Sequence, residues 1–93
     1  MEMFVFTGLT WKEKNEEFSA LCPDLDVASQ GSNSKEARQK LLGAAVLHLE
    51  GSFEAGLPYL RPVPATEDPR NSLPAEEVEF FKFKVDVTIK AYT

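Results

Sequence analysis

A chain of 93 residues is the size of a single domain and leaves no room for two. Its composition, 43% hydrophobic with seven Phe, is typical of a chain that folds around a core and excludes an intrinsically disordered protein. The 15 acidic residues outnumber the 10 basic ones, and the net charge of −5 argues against nucleic acid as the main ligand, because phosphate contacts need basic residues. An acidic surface suits a basic partner protein, and it equally serves solubility.

The sequence also indicates the cellular compartment of the protein. Its one cysteine, Cys22, cannot form an intramolecular disulfide, so nothing suggests an oxidising environment. It shows no signal-peptide pattern, and its apolar runs are too short to span a bilayer. We therefore expect a cytoplasmic protein with no membrane contact.

The first predicted element is a strand over residues 3–11 (MFVFTGLTW), which is apolar and β-prone. Because Phe4 and Phe6 alternate with apolar residues of the other parity, we expect this strand to be covered on both faces. Gly8 in its middle indicates a bulge or a close contact. The polar residues 12–17 (KEKNEE) then form a hairpin loop.

Two shorter strands follow the loop. Residues 18–22 predict a second strand, which ends because Pro23 cannot donate a hydrogen bond to the sheet. Residues 27–30 predict a third strand, closed by Gly31. The short connection between the first two strands predicts antiparallel pairing.

A long helix is the clearest local signal. Asn33 is a good N-cap, and Glu36 stands where it completes a capping box. Gly56 is a natural C′ residue, and Pro58 prevents continuation, so the helix spans about 22 residues. Two adjacent apolar rows are spaced for one face: Ala37, Leu41, Ala44, Ala45 and His48, and Leu42, Val46, Leu49 and Phe53. We expect Gly43 and Gly51 to let the sheet approach closely.

After the helix, residues 57–76 contain five of the six prolines and predict an extended surface connection without regular structure, more mobile than functional. Residues 77–92 predict a last strand, with Phe81, Phe83 and Val85 among the alternating residues of a buried face and lysines on a wet face. The whole chain, 1–93, is thus one α+β domain: a small antiparallel sheet in the order β-β-β-α-β with one long helix on one face.

The residues from Phe18 to Leu49 resemble the core pattern of the HicB-like antitoxin family. The pattern is an aromatic residue and an alanine in the second strand, a Pro–acid–Leu turn, a short strand ending Ser-Gln-Gly, and a capped helix beginning Glu-Ala. In this chain the matching residues are Phe18, Ala20, Pro23, Asp24, Leu25, Ser29, Gln30, Gly31, Asn33, Glu36 and Ala37.

The resemblance implies a partial ribonuclease-H-like fold. It also implies that the protein's function is to mask a small basic RNA-cleaving toxin of the HicA type. Many members of the family append a helix-turn-helix or ribbon-helix-helix segment that binds DNA. Because the residues after the helix here form a proline-rich connection and one strand, direct DNA binding by this chain is not expected.

A ribonuclease-H-like nuclease needs several carboxylates on neighbouring strands to hold divalent metal ions. The first strand offers only Glu2 and the last only Asp86. We therefore expect no metal, no cofactor and no catalysis. A degenerate nuclease stays the weakest hypothesis, and metal-dependent cleavage abolished by Asp86→Asn would be needed to support it.

Cys22 and His48 are the other residues that could act in catalysis or bind a metal. As nucleophile and base they lack a third group that orients the histidine, and one Cys with one His is too few ligands for a metal. We interpret Cys22 as a buried thiol and His48 as a partly buried histidine with a hydrogen-bond partner.

The last strand and the hairpin carry the candidate contact residues. A basic stripe on the strand is open to three interpretations: a phosphate or RNA contact, protection of an exposed edge, or pairing with a second copy in a homodimer. The candidate dimer strand comprises Lys82, Lys84, Asp86, Thr88 and Lys90. Trp11 either anchors a partner or closes the core. An acidic rim for a basic toxin comprises Glu13, Glu16, Glu17, Asp24 and Asp26.

The leading hypothesis is therefore an antitoxin-like protein-binding module. The alternative is a solitary HicB-like oligomeric scaffold or regulatory protein with no toxin partner and no catalysis. A small basic protein encoded next to this chain favours the first hypothesis, and its absence favours the second.

Overall fold

The computed structural model describes residues 2–87, which form one antiparallel sheet, one long helix and a folded connection. The strands are β1 (Glu2–Lys12), β2 (Phe18–Cys22), β3 (Val27–Gly31) and β4 (Val78–Val87), and the long helix is α1 (Ser34–Ala55). The expected α+β fold is confirmed. The predicted last strand extended to residue 92, and its part beyond Val87 lies outside the described residues.

The strand order in the sheet is β3-β2-β1-β4, and each neighbouring pair is antiparallel. β4 pairs with β1 along its whole length, from Trp11 opposite Val78 to Glu2 opposite Val87. β2 pairs with β1 only from Leu9 to Lys12. As a result, the first seven residues of β1 pair with β4 alone, and the two strands project past the four-stranded part as a ribbon.

Both predicted ends of α1 are confirmed by its caps. The Asn33 side chain accepts a hydrogen bond from the Glu36 backbone N–H at 2.8 Å. The Glu36 carboxylate reaches back to the backbone N–H of Ser32, at 3.3 Å, one residue before the cap. At the other end Gly56 has φ +68°, and the Leu57 N–H bonds to the Ser52 carbonyl at 2.8 Å. This left-handed turn ends the helix because a side chain is strained in that conformation.

One face of the sheet packs against α1 and forms the core. The sheet contributes Phe6, Ala20, Cys22, Phe83 and Val85, and the helix contributes Ala37, Leu41, Ala45 and Leu49. The buried helical stripe therefore takes members from both predicted rows, and Leu42 is exposed instead. The expectation for Gly43 and Gly51 is wrong: both lie on the solvent side of the helix, with nothing within 4 Å of the position of a Cβ.

The predicted close contact at Gly8 is present, and the strand pairing passes through it without a bulge. Phe81 is the cross-strand partner of Gly8, and its ring covers the glycine. A Cβ at Gly8 would stand 2.3 Å from the Phe81 Cζ atom. The Arg38 guanidinium lies 4.7 Å from the centre of the same ring and is paired with Glu79 at 3.2 Å. Gly8 therefore makes room for an aromatic ring that links the sheet to α1.

The connection after α1 is folded, which corrects the expectation of a wholly extended path. It contains 3₁₀ turns at Ala65–Glu67 and Ala75–Glu77 and a short helix, α2 (Pro69–Ser72). Proline alone suggested extension, whereas here Pro69 occupies the first helical turn, where its fixed φ is favourable. The carboxylate of Asp68 caps α2 by accepting from the Arg70 backbone N–H at 2.9 Å.

The connection also explains why the second face of the sheet is partly buried. Leu9 and Leu21 pair across β1 and β2 with side chains directed away from α1, yet Leu9 is fully buried. Backbone hydrogen bonds from Arg61 and Val63 fasten the connection to the turn between β2 and β3. The connection reaches the face opposite α1, since Leu73 and Trp11 border one groove there. The expected cover on both faces of β1 is present at Leu9 and absent at Met3 and Val5, which are 58% and 55% exposed. Among residues 2–87, no helix combines the length and apolarity needed to cross a membrane.

Candidate functional site

The end of the β1–β2 hairpin is organised around Trp11 and Glu13. The Trp11 Nε1–H donates to Glu13 Oε1 at 2.9 Å, and the Ser19 hydroxyl donates to the same oxygen at 2.8 Å. Ser19 is the cross-strand partner of Trp11, so the strand register brings both donors to one carboxylate. The hydrogen bond to Glu13 holds the indole in place, and the half-buried ring leaves one part open to solvent.

The loop beyond Glu13 is tight, and its acidic side chains face solvent. Backbone hydrogen bonds join Glu13 N–H to the Glu17 carbonyl at 2.7 Å and Glu16 N–H to the Glu13 carbonyl at 3.1 Å. Glu16 has φ +68°, and both Glu16 and Glu17 are exposed. None of the ion pairs among residues 2–87 includes any of these three glutamates. Their charge is therefore available to an external cation.

Glu77 also lies at the hairpin end of the sheet, although the sequence alone did not predict it there. It lies in the turn before β4, and the register that pairs Val78 with Trp11 places it beside the hairpin. A groove of about 540 Å³ is bordered by Trp11, Lys12, Glu13, Lys14, Leu73 and Glu77. Only the pairing register identifies Glu77, because nothing in its local sequence distinguishes it from Glu76. We call Trp11, Glu13, Glu16, Glu17 and Glu77 the hairpin-end surface.

A second groove lies on the other side of the indole. Its volume is about 380 Å³, and it is bordered by Trp11, Ser19, Ala20, Ala28, Ser29 and Gln30. The residues of β2 and β3 that line it are small or polar, so it is a shallow surface over the sheet. Trp11 therefore stands as a ridge between two depressions, which is an arrangement that suits an anchor of a protein contact.

The expected single acidic rim is not present. Asp24 and Asp26 lie in the turn between β2 and β3, whereas Glu13, Glu16 and Glu17 lie in the turn between β1 and β2. Successive turns of an antiparallel sheet lie at opposite ends of the strand that they share, and five-residue β2 separates them by roughly 17 Å. Asp24 is exposed, and its backbone carbonyl accepts the hydrogen bond from Arg61 at 2.9 Å. Asp24 therefore belongs to the attachment of the connection, and Asp26 lies in the same turn.

The β4 edge is the second candidate surface. β4 is the last strand in the order β3-β2-β1-β4, so one of its edges has no strand beside it among residues 2–87. Lys82, Lys84 and Asp86 point away from α1 and are exposed, as expected of a wet face. The same face carries exposed apolar residues: Met3 (58%) and Val5 (55%) on the ribbon, and Phe80 (57%) next to it. Thr88 and Lys90 lie outside the described residues.

Cys22 and His48 have separate structural surroundings. Cys22 is fully buried in β2, and this burial raises the pKa of its thiol to about 11. The thiol is therefore protonated and a poor nucleophile at neutral pH. His48 Nε2 is 2.7 Å from the backbone carbonyl of Tyr59 and joins α1 to the connection. Within residues 2–87 there is no group of three or more Asp, Glu, His or Cys side chains that could hold a metal ion.

No protein-family model matches the chain, and no curated protein matches it. Its structure is similar to the crystal structure of the N-terminal domain of Burkholderia pseudomallei antitoxin HicB, with a TM-score of 0.68 and 20% identity, covering 90% of this chain and 100% of that one. It is also similar to a chain in the HicA3 and HicB3 toxin-antitoxin complex, with a TM-score of 0.54 and 21% identity over 92% and 100% of the two chains. The chain has the α+β fold of the HicB antitoxin N-terminal domain, and the resemblance in its sequence is confirmed at the level of the fold.

Proposed function

We propose that this chain is an antitoxin-like protein-binding module that masks a small basic RNA-cleaving toxin of the HicA type. The observation that carries the proposal is the similarity of its fold, over 90% of the chain, to the N-terminal domain of an antitoxin HicB. A chain of similar structure is part of the HicA3 and HicB3 toxin-antitoxin complex. Masking requires a surface and no catalysis, so the proposed role is non-catalytic.

The hairpin-end surface is the proposed toxin contact. Glu16 and Glu17 are exposed, and Trp11 stands between two grooves. An aromatic side chain that is already held in one orientation loses little entropy on binding, and acidic groups around it steer a basic partner into place. The net charge of −5 favours the same partner. Asp24 and Asp26 lie at the far end of β2 and are outside the proposed contact.

Co-expression with a HicA-type toxin, encoded next to this chain or supplied from a related system, tests the proposal. We expect the toxin to co-purify with the chain and its RNA cleavage to be suppressed. Glu16→Lys/Glu17→Lys should weaken binding by at least about tenfold at low salt, because like charges then meet at the contact. Trp11→Ala should weaken it by a similar factor, about 1–2 kcal/mol, through loss of the anchor.

A matched control has the same change in net charge at a distant site. Glu50 and Glu54 are exposed on the last turns of α1, so Glu50→Lys/Glu54→Lys alters the total charge equally without touching the hairpin. Equal loss of binding in both double variants would show that net charge alone matters and would remove the hairpin-end surface from the proposal. Full RNA cleavage in the presence of excess folded chain would overturn the masking role itself.

A second candidate function, an oligomeric scaffold without a toxin, is favoured by the exposed β4 edge. We propose that β4 pairs with a second copy in a homodimer, with Lys82, Lys84 and Asp86 at the seam and, beyond the described residues, Thr88 and Lys90. An open edge strand is a common template for pairing between chains. Light scattering on the purified chain should give twice the monomer mass, and a strict monomer would refute this candidate. A dimer is compatible with toxin binding, so the two assays are independent.

A further inference from the structure

The charges on the free edge of β4 make this strand complementary to itself in one alignment. Lys84 and Asp86 are two residues apart, so their side chains lie on the same face, and both are exposed. None of the ion pairs formed within residues 2–87 uses either residue. α1 lies mainly over β2 and β3, so it leaves this edge uncovered.

We infer that a second copy of this chain docks on β4 in the antiparallel register centred on Val85. In this register Lys84 of each copy lies directly opposite Asp86 of the other copy, so the two-fold axis creates two identical ion pairs. The inference rests on the proposed pairing of β4 and specifies its alignment. An antiparallel pair with an axis through one residue keeps each side chain on its own face, because opposite residues have the same parity.

Neighbouring registers are disfavoured by like charges. A register centred on Lys84 also forms two ion pairs, between Lys82 and Asp86, but it places the two Lys84 ammonium groups opposite each other. A register centred on Phe83 places Lys82 opposite Lys84 twice, and a register centred on Asp86 places two carboxylates face to face. Directly opposite like charges destabilise a strand pair, and opposite charges stabilise it, so the Val85 register is the one without a charge conflict among these.

The other face of the strand agrees with this alignment. Val85 faces the core and is buried to 3% exposure, and in the Val85 register it lies opposite its own copy. A β-branched residue opposite another is a favourable cross-strand pair. The four-stranded sheets of two copies would then join edge to edge into a continuous sheet, with both copies of α1 on one side of it.

Charge reversal tests the register directly. We expect Lys84→Glu and Asp86→Lys, each alone, to raise the dimer dissociation constant at least about fivefold, because two opposite-charge pairs become two like-charge pairs. The double variant Lys84→Glu/Asp86→Lys restores both pairs and should return the constant to within about twofold of the unmodified chain. An equimolar mixture of the two single variants should form heterodimers preferentially. Sedimentation equilibrium measures all of these constants at low salt.

Glu50→Lys is the matched control, since Glu50 is exposed on α1 away from β4 and its reversal changes the net charge as Asp86→Lys does, so dimerisation should change little. Lys82→Glu distinguishes the competing registers, because in the Val85 register no charged residue is directly opposite Lys82. Strong weakening by Lys82→Glu would indicate the Lys84-centred register, and strengthening would indicate the Phe83-centred one; either result overturns the inference. Circular dichroism confirms that each variant is folded.

The outcomes separate this inference from the proposed function. A strict monomer for the unmodified chain overturns both the pairing of β4 and its register. A dimer that is insensitive to Lys84→Glu and Asp86→Lys overturns the register alone. Toxin capture by the hairpin-end surface is measured separately and uses none of these residues, so it stands or fails by itself.

Discussion

Substitution of Gly8 by alanine tests the role of the ring that covers it. The added methyl carbon would lie 2.3 Å from Cζ of Phe81 and 2.7 Å from its two Cε atoms, well inside the contact distance between carbon atoms. The ring cannot stay in place. Because it also contacts the Arg38 guanidinium, which is paired with Glu79, its displacement disturbs the link between α1 and β4.

The magnitude follows from two opposing effects. Overpacking of a well-packed site costs typically about 1–3 kcal/mol. Alanine in a strand recovers roughly 0.5–1 kcal/mol relative to glycine, because less backbone entropy is lost on folding. We expect Gly8→Ala to lower the free energy of unfolding by about 1–2 kcal/mol in net terms, which corresponds to roughly 5–15 °C in Tm for a domain of this size.

Urea denaturation followed by circular dichroism measures this effect. The same substitution at Gly43, where nothing lies within 4 Å, serves as the control and should stabilise the chain by up to about 1 kcal/mol. Phe81→Leu removes the obstructing ring, so the double variant with Gly8→Ala should be more stable than the sum of the single effects by at least about 0.5 kcal/mol. Wild-type stability for Gly8→Ala, or strict additivity in the double variant, would refute the steric argument.

Three further predictions concern single groups. Cys22 has a pKa raised to about 11 by burial, so a thiol reagent at pH 8 should modify it only after unfolding, and rapid labelling of the native chain would contradict its burial. The hydrogen-bonded Arg70 side chain holds the pKa of the Asp68 carboxyl below its usual range. Asp68→Asn should therefore reduce the free energy of unfolding at pH 7, and this reduction should shrink as the pH falls through the lowered pKa. An equal reduction at pH 7 and at a pH below the lowered pKa would argue against this ion pair. Gly56→Ala, at φ +68°, should cost about 1–2 kcal/mol in chemical denaturation, and no loss would mean that α1 ends differently.

The two proposed contact surfaces lie at opposite ends of β4. Its first residue, Val78, pairs with Trp11 at the hairpin end, whereas Asp86 pairs with Met3 near the tip of the ribbon. Eight residues of extended strand separate these positions by roughly 27 Å. A toxin at the hairpin end and a second copy at the seam would therefore not compete, and a dimer would present two toxin-binding surfaces.

Local patterns were sufficient to predict the elements. Strict alternation identified β4, and the signals at Asn33 and Gly56 placed both ends of α1, because caps and strand periodicity depend on residues only a few positions apart. The resemblance over residues 18–49 predicted the fold class, because it matches a pattern that belongs to a family with that fold. The connection was predicted less well, since its prolines start short helical turns at Pro69 and after Pro74, where only packing decides between turn and extension.

The candidate surfaces required tertiary structure. The sequence contained every acidic residue of the expected rim, yet strand direction divides them between two ends of β2, and the β1–β4 register adds Glu77 from 60 residues further along the chain than Glu17. By itself, then, the sequence located β1, β2 and β3 to within a residue or two, the start of β4, and both ends of α1. The order of strands, their register and the covering of the second face were decided by the folded chain, because they depend on contacts between residues that are distant in sequence.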